Sequence, residues 1–228
     1  MKKKIGILGG ISSASTIQYY KTITDLYFKE FNDYYYPEII IYSLDFQYFT
    51  DLEDEHRTGE YIDYILTGIH ALKKAGADFV IMAANSPHSV LNEVKNQSGI
   101  EILSIVEAVA QNAKESNLKK TLLTGIKYTM QSDFYQKGFE KFGIEVLVPE
   151  NDHQDIINDI IFSELVINNF LDTTRNKFIE IVNSYKVDGI ILGCTELPLL
   201  IKQDDIDIKV LDSLSLHCEA ALKYSINN

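Results

Sequence analysis

The chain has 228 residues, of which 46% are hydrophobic and 24% are charged, so a disordered or fibrous protein is excluded. A chain of this size can build one sizeable core or two smaller lobes. Twenty-one lysines and arginines against 33 aspartates and glutamates give a formal net charge of −12. Because polyanions repel such a chain, neither nucleic acid nor an anionic membrane surface is expected as a partner.

The sequence gives no sign of a membrane-spanning or exported protein. No segment approaches the ~20 apolar residues that cross a bilayer. The apolar stretch after Lys4 is too short for a secretory signal. The two cysteines, Cys194 and Cys218, form neither a disulfide framework nor a metal-ligand spacing. We therefore expect a cytoplasmic protein without a metal site.

Short apolar runs alternate with amphipathic stretches along the chain, which is typical of βαβ units and a mainly parallel sheet. Eight strands are predicted, at Lys4–Gly9, Ile39–Asp45, Phe79–Ala84, Ile100–Ile105, Thr121–Ile126, Ile144–Pro149, Gly189–Thr195 and Ile208–Asp212. Between them, one predicted helix ends near Gly76 and carries apolar residues at helical spacing, namely Ile62, Ile65, Ile69 and Leu72. Ser132 and Asp133 are expected to form the N-cap region of a later helix, and Thr174 is expected to cap the helix that runs to Tyr185.

The fold class predicted from this pattern is α/β with two pseudo-symmetric lobes, each a mainly parallel four-stranded sheet flanked by helices. The predicted first lobe comprises residues 1–98 plus 206–228, and the second comprises 99–205. The last strand is thereby expected to return to the first lobe. Because open α/β sheets bind ligands beyond the carboxyl ends of their strands, the active-site cleft is expected between the lobes.

Cys194 lies where a buried strand is predicted to become a helix. Helix N-terminal amides and the macrodipole favour a thiolate there, although a free cysteine is also often a small buried hydrophobe. Cys218, on the predicted terminal helix, is expected to serve packing. Glu196, two residues after Cys194, either orients the thiol or merely begins the helix.

Two further segments follow predicted strand ends. Gly9 and Gly10 precede several small hydroxyl residues, so this turn suits a carboxylate or phosphate, or is simply a tight turn. Asn85 and Ser86 offer hydrogen-bond donors to a ligand or cap the helix that follows, and His88 lies in its first turn.

Four segments together resemble the aspartate/glutamate racemase family: GILGGISSASTIQYY near the start, AANSPH after the third strand, TGIKYTM in the middle and LGCTELPLL near the end. The resemblance covers essentially the whole chain, and GCTELP is its most specific part. It implies enzymes that need neither pyridoxal phosphate nor a metal and that are commonly homodimers. In such racemases two cysteines face opposite sides of the substrate α-carbon, one taking a proton and the other giving one.

The resemblance maps Cys194 onto the second-lobe cysteine of the family. The first-lobe cysteine falls on Ala84 or Ala83, neither of which can exchange a proton. Lys127 stands where relatives often carry arginine. For a small carboxylic or amino acid substrate, the expected binding residues are Gly10, Ser12, Ser13, Asn85, Ser86, Thr129, Thr195 and Glu196.

Four functions stay open from the sequence. The first is a racemase in which His88, Ser86 or an ordered water acts on the substrate face that has no cysteine. The second is a one-thiol enzyme that protonates a carbanion formed by loss of carbon dioxide. The third is an isomerase of unsaturated diacids with Cys194 as nucleophile, and the fourth is a protein that binds a small acid without turning it over. A racemase of aspartate or glutamate is the favoured prediction. Because the chain has only two arginines, Arg57 and Arg175, an arginine clamp on a side-chain carboxylate is not assured.

Overall fold

The computed structural model describes residues 2–167 and 169–227. Within them, eight strands form two parallel four-stranded sheets. The first sheet has the order β2-β1-β3-β4, from Ile5–Gly9 (β1), Ile39–Ser43 (β2), Phe79–Met82 (β3) and Glu101–Ile102 (β4). The second has the order β6-β5-β7-β8, from Lys120–Thr124 (β5), Glu145–Leu147 (β6), Gly189–Leu192 (β7) and Lys209–Asp212 (β8). The predicted α/β class with two four-stranded sheets is confirmed.

Helices flank the sheets. They are Ser13–Phe31 (α1), Phe46–Asp54 (α2), Thr58–Lys74 (α3), Leu91–Ser98 (α4), Ile105–Glu115 (α5), Lys127–Gln131 (α6), Phe134–Glu140 (α7), Asn151–Ser163 (α8), Asp172–Asn183 (α9), Leu197–Leu200 (α10) and Ser213–Ile226 (α11). Short 3-10 turns cover Ser86–Val90, Leu165–Ile167 and Gln203–Asp205. None of the helices in the described part of the chain has the length and apolarity needed to cross a membrane.

The chain forms two compact units. The first unit runs to Ile105 and resumes at His217, and the second unit is Val106–Leu216. The sequence predicted boundaries after residues 98 and 205, and both lie earlier in the chain than the observed boundaries, which follow Ile105 and Leu216. The prediction that the last strand returns to the first sheet is wrong, because β8 pairs with β7 while β4 pairs with β3. Each of these strands follows its parallel neighbour after one short crossover, which is the usual arrangement in βαβ units.

The core of the first unit lies between its sheet and α3. Leu8, Val80 and Met82 pack in one buried cluster with Ile65 and Ile69. The helical periodicity of α3 is confirmed, and Gly76 follows its end at φ +95°, a left-handed conformation that glycine adopts without strain.

The core of the second unit lies between its sheet and two helices, α8 and α9. Ile190 and Leu192 of β7 share a buried cluster with Ile161, Phe178 and Val182. β7 is buried along its whole length, as expected of a central parallel strand covered on both faces.

Helix starts are only partly as predicted. Asp133 is the N-cap of α7, although its side chain makes no capping bond. The prediction that Thr174 caps a helix is wrong, because α9 begins at Asp172 and Thr174 lies inside its first turn. The Thr174 hydroxyl instead donates to the Glu164 carboxylate at 2.6 Å.

Candidate active site

The end of β7 is held close to β5 by glycine. The N–H of Gly193 donates to the carbonyl of Thr124 at 2.7 Å. A Cβ atom at Gly193 would lie 2.8 Å from that same carbonyl oxygen, so a larger residue would push the strands apart. Cys194 follows at once, partly exposed, where the chain turns from the sheet toward α10.

The Cys194 thiol has one defined acceptor, the carboxylate of Glu196. Its Sγ donates to Oε2 of Glu196 at 2.9 Å, and the Thr195 hydroxyl donates to the same oxygen at 2.8 Å. Glu196 occupies the N-cap position of α10, but its side chain makes no capping bond. Of the two roles that the sequence left open for Glu196, the structure therefore favours orienting the thiol.

Burial is the main cause that raises the pKa of the Cys194 thiol well above its usual value. The negative charge of Glu196 and its hydrogen bond from the thiol raise that pKa further. The backbone N–H groups of Glu196 and Thr195 act the other way and do not compensate. The sequence left a thiolate and a small buried hydrophobe open for Cys194. Helix α10 spans only Leu197–Leu200, too short to offset burial beside a carboxylate, so the structure favours the protonated thiol. Cys194 rests as a thiol, which is a proton donor.

Thr129 of α6 is a further sequence-predicted binding residue that lies close to this strand end. A Cβ atom built on Gly193 would be 3.4 Å from the Thr129 methyl group. The Thr129 hydroxyl oxygen is buried and has no hydrogen-bond partner among the described residues. Because buried hydroxyls in native proteins are nearly always paired, this oxygen is suited to a ligand or a water molecule.

The first sheet has a counterpart of the Cys194 position, and strand register identifies it. The last residue pairs between the central strands are Leu8 with Met82 in the first sheet and Thr124 with Leu192 in the second. One residue later, the Ala83 N–H donates to the Leu8 carbonyl at 2.8 Å, as the Gly193 N–H donates to Thr124. Ala83 is therefore equivalent to Gly193, and Ala84 to Cys194.

The remaining residues of this first-unit loop are held by hydrogen bonds. The Ser15 hydroxyl donates to the Ala83 carbonyl at 2.6 Å. Asn85 is buried, and its side chain does not cap the 3-10 turn that it precedes. Ser86, two residues after Ala84, is buried, and its side chain acts to lower the pKa of the Glu53 carboxyl group.

His88 is a buried, neutral side chain with both ring nitrogens engaged. Nε2 accepts the Ile105 N–H at 3.1 Å, so Nδ1 carries the hydrogen and donates to the Ala84 carbonyl at 3.1 Å. Burial lowers the pKa of His88 to about 4. This geometry contradicts the expectation that His88 is an auxiliary acid/base, because no ring nitrogen is left for substrate. The ring instead fixes the Ala84 backbone.

The geometry of the glycine turn after β1 favours a tight turn over a ligand site. Gly10 has φ +81°, and a Cβ atom there would lie 2.2 Å from the Leu44 carbonyl oxygen. The Gly10 N–H donates to the Thr16 hydroxyl at 2.9 Å. Ser12 caps α1 through the Ser15 N–H, at 3.3 Å, whereas Ser13 is exposed at the first position of the helix.

Sequence reasoning missed two groups. Glu53 lies in α2, where it is partly buried and accepts a hydrogen bond from the Tyr61 hydroxyl at 3.1 Å. Burial raises the pKa of Glu53, and the Ser86 and Tyr61 side chains lower it without compensating. No sequence signal marks this residue, because it stands within the acidic run 51–55, which is typical of a solvated helix face.

The second missed group is His217, which is completely buried. The Tyr19 hydroxyl is 3.0 Å from its Nδ1, and its Nε2 is 3.1 Å from the Leu103 carbonyl, so Nε2 carries the hydrogen. Burial, and then the nearby His88, lowers the pKa of His217 to about 3. Cys218 is completely buried as well, with Sγ 3.8 Å from the Tyr19 carbonyl, and serves packing as predicted.

Both arginines and Lys127 are committed to carboxylates. Arg57 pairs with Glu60 at 2.5 Å, and Arg175 pairs with Asp172 at 2.5 Å. The Lys127 ammonium pairs with Asp155. Among the residues described by the structure, no cluster of three or more metal-binding side chains occurs.

Comparison with known proteins decides the family. The sequence pattern of Asp/Glu/Hydantoin racemases matches residues 8–221. The chain belongs to this racemase family. It is 30% identical over 216 residues to the broad specificity amino-acid racemase RacX of Bacillus subtilis, covering 92% of each chain.

Solved structures of racemases agree with the fold. An aspartate racemase homologue from Pyrococcus horikoshii superposes with a TM-score of 0.89 at 36% identity, over 99% of this chain and 100% of the other. The aspartate racemase of Picrophilus torridus superposes with a TM-score of 0.79 at 23% identity, over 98% and 94% of the two chains, which supports the fold alone. This member of the racemase family therefore has the family's fold, with alanine at the position equivalent to Cys194.

Proposed function

We propose that the protein is a cofactor-independent racemase that acts at the α-carbon of an acidic amino acid, aspartate or glutamate, with Cys194 as acid/base. The observation that carries this proposal is the Cys194 thiol held by Glu196 at the end of β7. A proton donor fixed at a strand end, in a chain of a racemase family, suits transfer of a proton to a carbanion.

The chemistry follows from the two side chains. Removing an α-proton next to a carboxylate builds negative charge on the substrate, and preorganised donors must stabilise it. The thiol gives its proton to the carbanion, and the Glu196 carboxylate accepts the thiol proton when Cys194 must become a base. The unpartnered Thr129 hydroxyl and the Thr195 hydroxyl are proposed to bind the substrate carboxylate.

Further residues are proposed to bind the substrate. They are the side chains or backbone amides of Gly10, Ser12, Ser13, Asn85 and Ser86. Because both arginines are already paired with carboxylates of the protein, we propose that hydroxyl and amide groups bind the substrate. Relatives named glutamate racemase and an aspartate racemase homologue support an acidic substrate, whereas RacX is named for broad specificity.

Three further properties are part of the proposal. The enzyme works without pyridoxal phosphate, since a thiol and a carboxylate supply the proton chemistry. It assembles as a homodimer, as the family resemblance implies. It acts in the cytoplasm, which suits a chain whose two cysteines are both free thiols.

A second candidate is a single-thiol lyase, such as a malonate-type decarboxylase. It is favoured by one observation, namely that Ala84 occupies the position equivalent to Cys194. A carbanion formed by loss of carbon dioxide needs one proton donor and no second thiol. An isomerase of unsaturated diacids and a binding protein without turnover are weaker alternatives, because neither uses the thiol as a proton donor.

The two enzymes are separated by one set of assays. The protein is incubated with L- and D-aspartate or glutamate in deuterated water, and optical rotation and α-deuterium are followed together. Inversion with deuterium incorporation is expected of the racemase. Carbon dioxide released from substituted malonates, without inversion of any amino acid, would instead establish the lyase, and a thermal shift with the same acids alone would establish binding.

A further inference from the structure

Six exposed aromatic side chains of the first unit lie on the outer side of α1 and in the segment 34–36, which leads from α1 to β2. We call them the aromatic patch, and they are Tyr20, Phe28, Phe31, Tyr34, Tyr35 and Tyr36. Ring contacts join them: Phe28 stacks on Tyr34 with centroids 5.3 Å apart, and Tyr34 meets Tyr36 edge-on at 6.1 Å. The buried Tyr27 contacts both Phe31 and Tyr36, at 4.6 and 5.6 Å. The patch is therefore continuous from α1 toward β2.

The exposed area of the aromatic patch approaches that of a protein–protein interface. An aromatic side chain presents about 200 Å² when fully exposed, and the six side chains are about half exposed on average, so the patch presents about 600 Å². This is the upper end of the largest apolar patch on an ordinary monomer. Ile17, one turn before Tyr20, and Ile41 of β2 are 67% and 44% exposed and enlarge it. A stable dimer covers ~800 Å² per partner, polar rim included.

β2, at the edge of the first sheet, is open to pairing with a further strand. It pairs with β1 on one side and with no described strand on the other, and none of its five residues is buried. Its sequence, IIIYS, contains neither a charged residue nor a proline, which are the residues that usually keep edge strands apart. The other edge strands among the described residues each carry a charge, at Glu101 in β4, Glu145 in β6 and Lys209 in β8. β2 is therefore the edge best suited to pair with another chain.

The exposed side chain of β2 lies on the face of the sheet that α1 covers. A Cβ atom at Gly9 of β1 would lie 2.4 Å from Thr16 of α1, whereas the preceding residue, Leu8, packs against α3. Because side chains alternate along a strand, α1 covers the face of Gly9 and Ile7. Ile41 is paired with Ile7, so its side chain points to the same face. One partner can therefore cover both the aromatic patch and β2.

Charge also favours this surface for contact between copies of the chain. With a net charge of −12, two copies repel each other over most of their surface. The aromatic patch itself carries no charged residue, and two neighbouring ion pairs, Lys21 with Asp25 and Lys4 with Glu38, add no net charge. Two copies can therefore meet here with little repulsion.

We propose that the aromatic patch and β2 form the contact between two copies of this chain, with the two β2 strands pairing antiparallel across a two-fold axis. This inference rests on the homodimer of the proposed function and is independent of the racemase chemistry. A strand edge is complementary to itself in that arrangement, because each copy offers the same N–H and C=O groups to the other. The tyrosines beside the strands then supply the buried aromatic area that dominates interface energies.

The test is sedimentation velocity of the full-length protein over a range of micromolar concentrations. The wild type is expected to sediment as a dimer, and its melting temperature is expected to rise with concentration. The double substitution Tyr34→Ser and Tyr35→Ser is expected to raise the Kd of the dimer at least about a hundredfold. Ile41→Lys, which puts a charge on the strand edge, is expected to do the same independently. Phe162→Ser changes an aromatic residue that is 55% exposed in α8; it is the matched control and should stay dimeric.

The outcomes separate the surface from the homodimer. Circular dichroism shows which variants are folded, and the two patch variants act at separate places, so either can decide the question. A wild-type dimer that the folded patch variants leave intact refutes this surface, and the homodimer stands. Equal dissociation by Phe162→Ser also refutes it. A wild type that is monomeric at every concentration overturns the inference and the homodimer together, and flotation of that monomer with phosphatidylcholine vesicles would make the patch a membrane surface instead. The deuterium-exchange assay decides the racemase chemistry separately.

Discussion

The ends of β3 and β7 are the same piece of architecture used in two ways. Each strand pairs with a central strand of its own sheet, and the residue that follows it donates its N–H to that neighbour, Ala83 to the Leu8 carbonyl and Gly193 to the Thr124 carbonyl. One residue later the first sheet presents the methyl group of Ala84 and the second presents the thiol of Cys194. Strand order and register are thus set by the fold, while the chemistry depends on a single side chain.

The largest effect is expected when both strand ends carry the same unreactive residue, alanine. Cys194→Ala removes the thiol, and we expect at least about a thousandfold loss of any turnover, because no proton donor remains at the end of β7. Cys218→Ser, at the buried cysteine of α11, is the matched control and should keep activity. Turnover by Cys194→Ala at the wild-type rate would remove this thiol from the mechanism.

The opposite change makes both ends reactive. Ala84→Cys places a thiol at the position equivalent to Cys194, and we expect racemisation to rise by about a hundredfold because a thiol can exchange a proton and the methyl group of alanine cannot. The measurement is the initial rate of inversion of L- and D-aspartate or glutamate. Ala83→Cys, one residue earlier and equivalent to Gly193, is the control and should give no gain. A gain from Ala83→Cys alone would show that the register equivalence does not predict the reactive position.

The first unit also contains buried neutral histidines, and acid should destabilise the protein because these histidines resist protonation in the folded state. The Ala84 loop is fastened by His88, and His217 binds the Leu103 carbonyl. Both histidines have a pKa lowered by burial, to about 4 and about 3, below the ordinary value near 6.5. An unfolded chain therefore binds more protons than the native protein below pH 6.5, and native stability falls as the pH drops toward these values.

From pH 6.5 to 5 each histidine is expected to cost about 2 kcal/mol of the free energy of unfolding. Denaturant titration at several pH values measures this, and His217→Gln should flatten the pH dependence. The exposed His70 provides the control variant, His70→Gln, which should leave the slope unchanged. The raised pKa values of Glu53 and Asp212 act in the opposite sense, so the difference in slope between His217→Gln and wild type is the informative quantity. A slope that His217→Gln does not alter would disprove the buried neutral state.

The smallest expected effect concerns the carboxylate beside the thiol. Glu196→Gln removes the negative charge that helps to raise the pKa of Cys194, so that pKa should fall. Alkylation of Cys194 by iodoacetamide at pH 8 should become several-fold faster, because the thiolate is the reactive form. The assay is made in a Cys218→Ser background so that one thiol reports. Slower alkylation would mean that the hydrogen bond to Glu196 exposes the sulfur rather than suppressing its ionisation.

Much of the fold follows from the sequence because buried parallel strands are short apolar runs, and all eight predicted strands exist. The sequence placed β8 in the wrong sheet, because the residues of a short strand such as Lys209–Asp212 do not indicate which strand it pairs with. Sequence spacing also left the family's missing cysteine between Ala83 and Ala84, and only hydrogen-bond register separates the two.

The candidate site was less predictable than the fold because burial decides its electrostatics. Cys194 and Glu196 are adjacent in sequence, yet the protonated state of the thiol depends on how far both are withdrawn from water. His88 resembled a free acid/base in the sequence, but long-range contacts with Ile105 occupy its ring. Glu53 of α2 lies close enough to Ser86 and Tyr61 for their side chains to lower its pKa, and no local sequence pattern indicates this proximity.

The proton retained by Cys194 also bears on the chemical durability of the protein. Peroxides attack thiolates, and low-pKa cysteines are the ones that pass to sulfenic and then irreversibly to sulfinic acids. A sulfur that stays protonated beside a carboxylate, as this one does, is a poor target for such oxidants. The contact with Glu196 that slows ionisation therefore also protects the residue from oxidative damage while no substrate is bound.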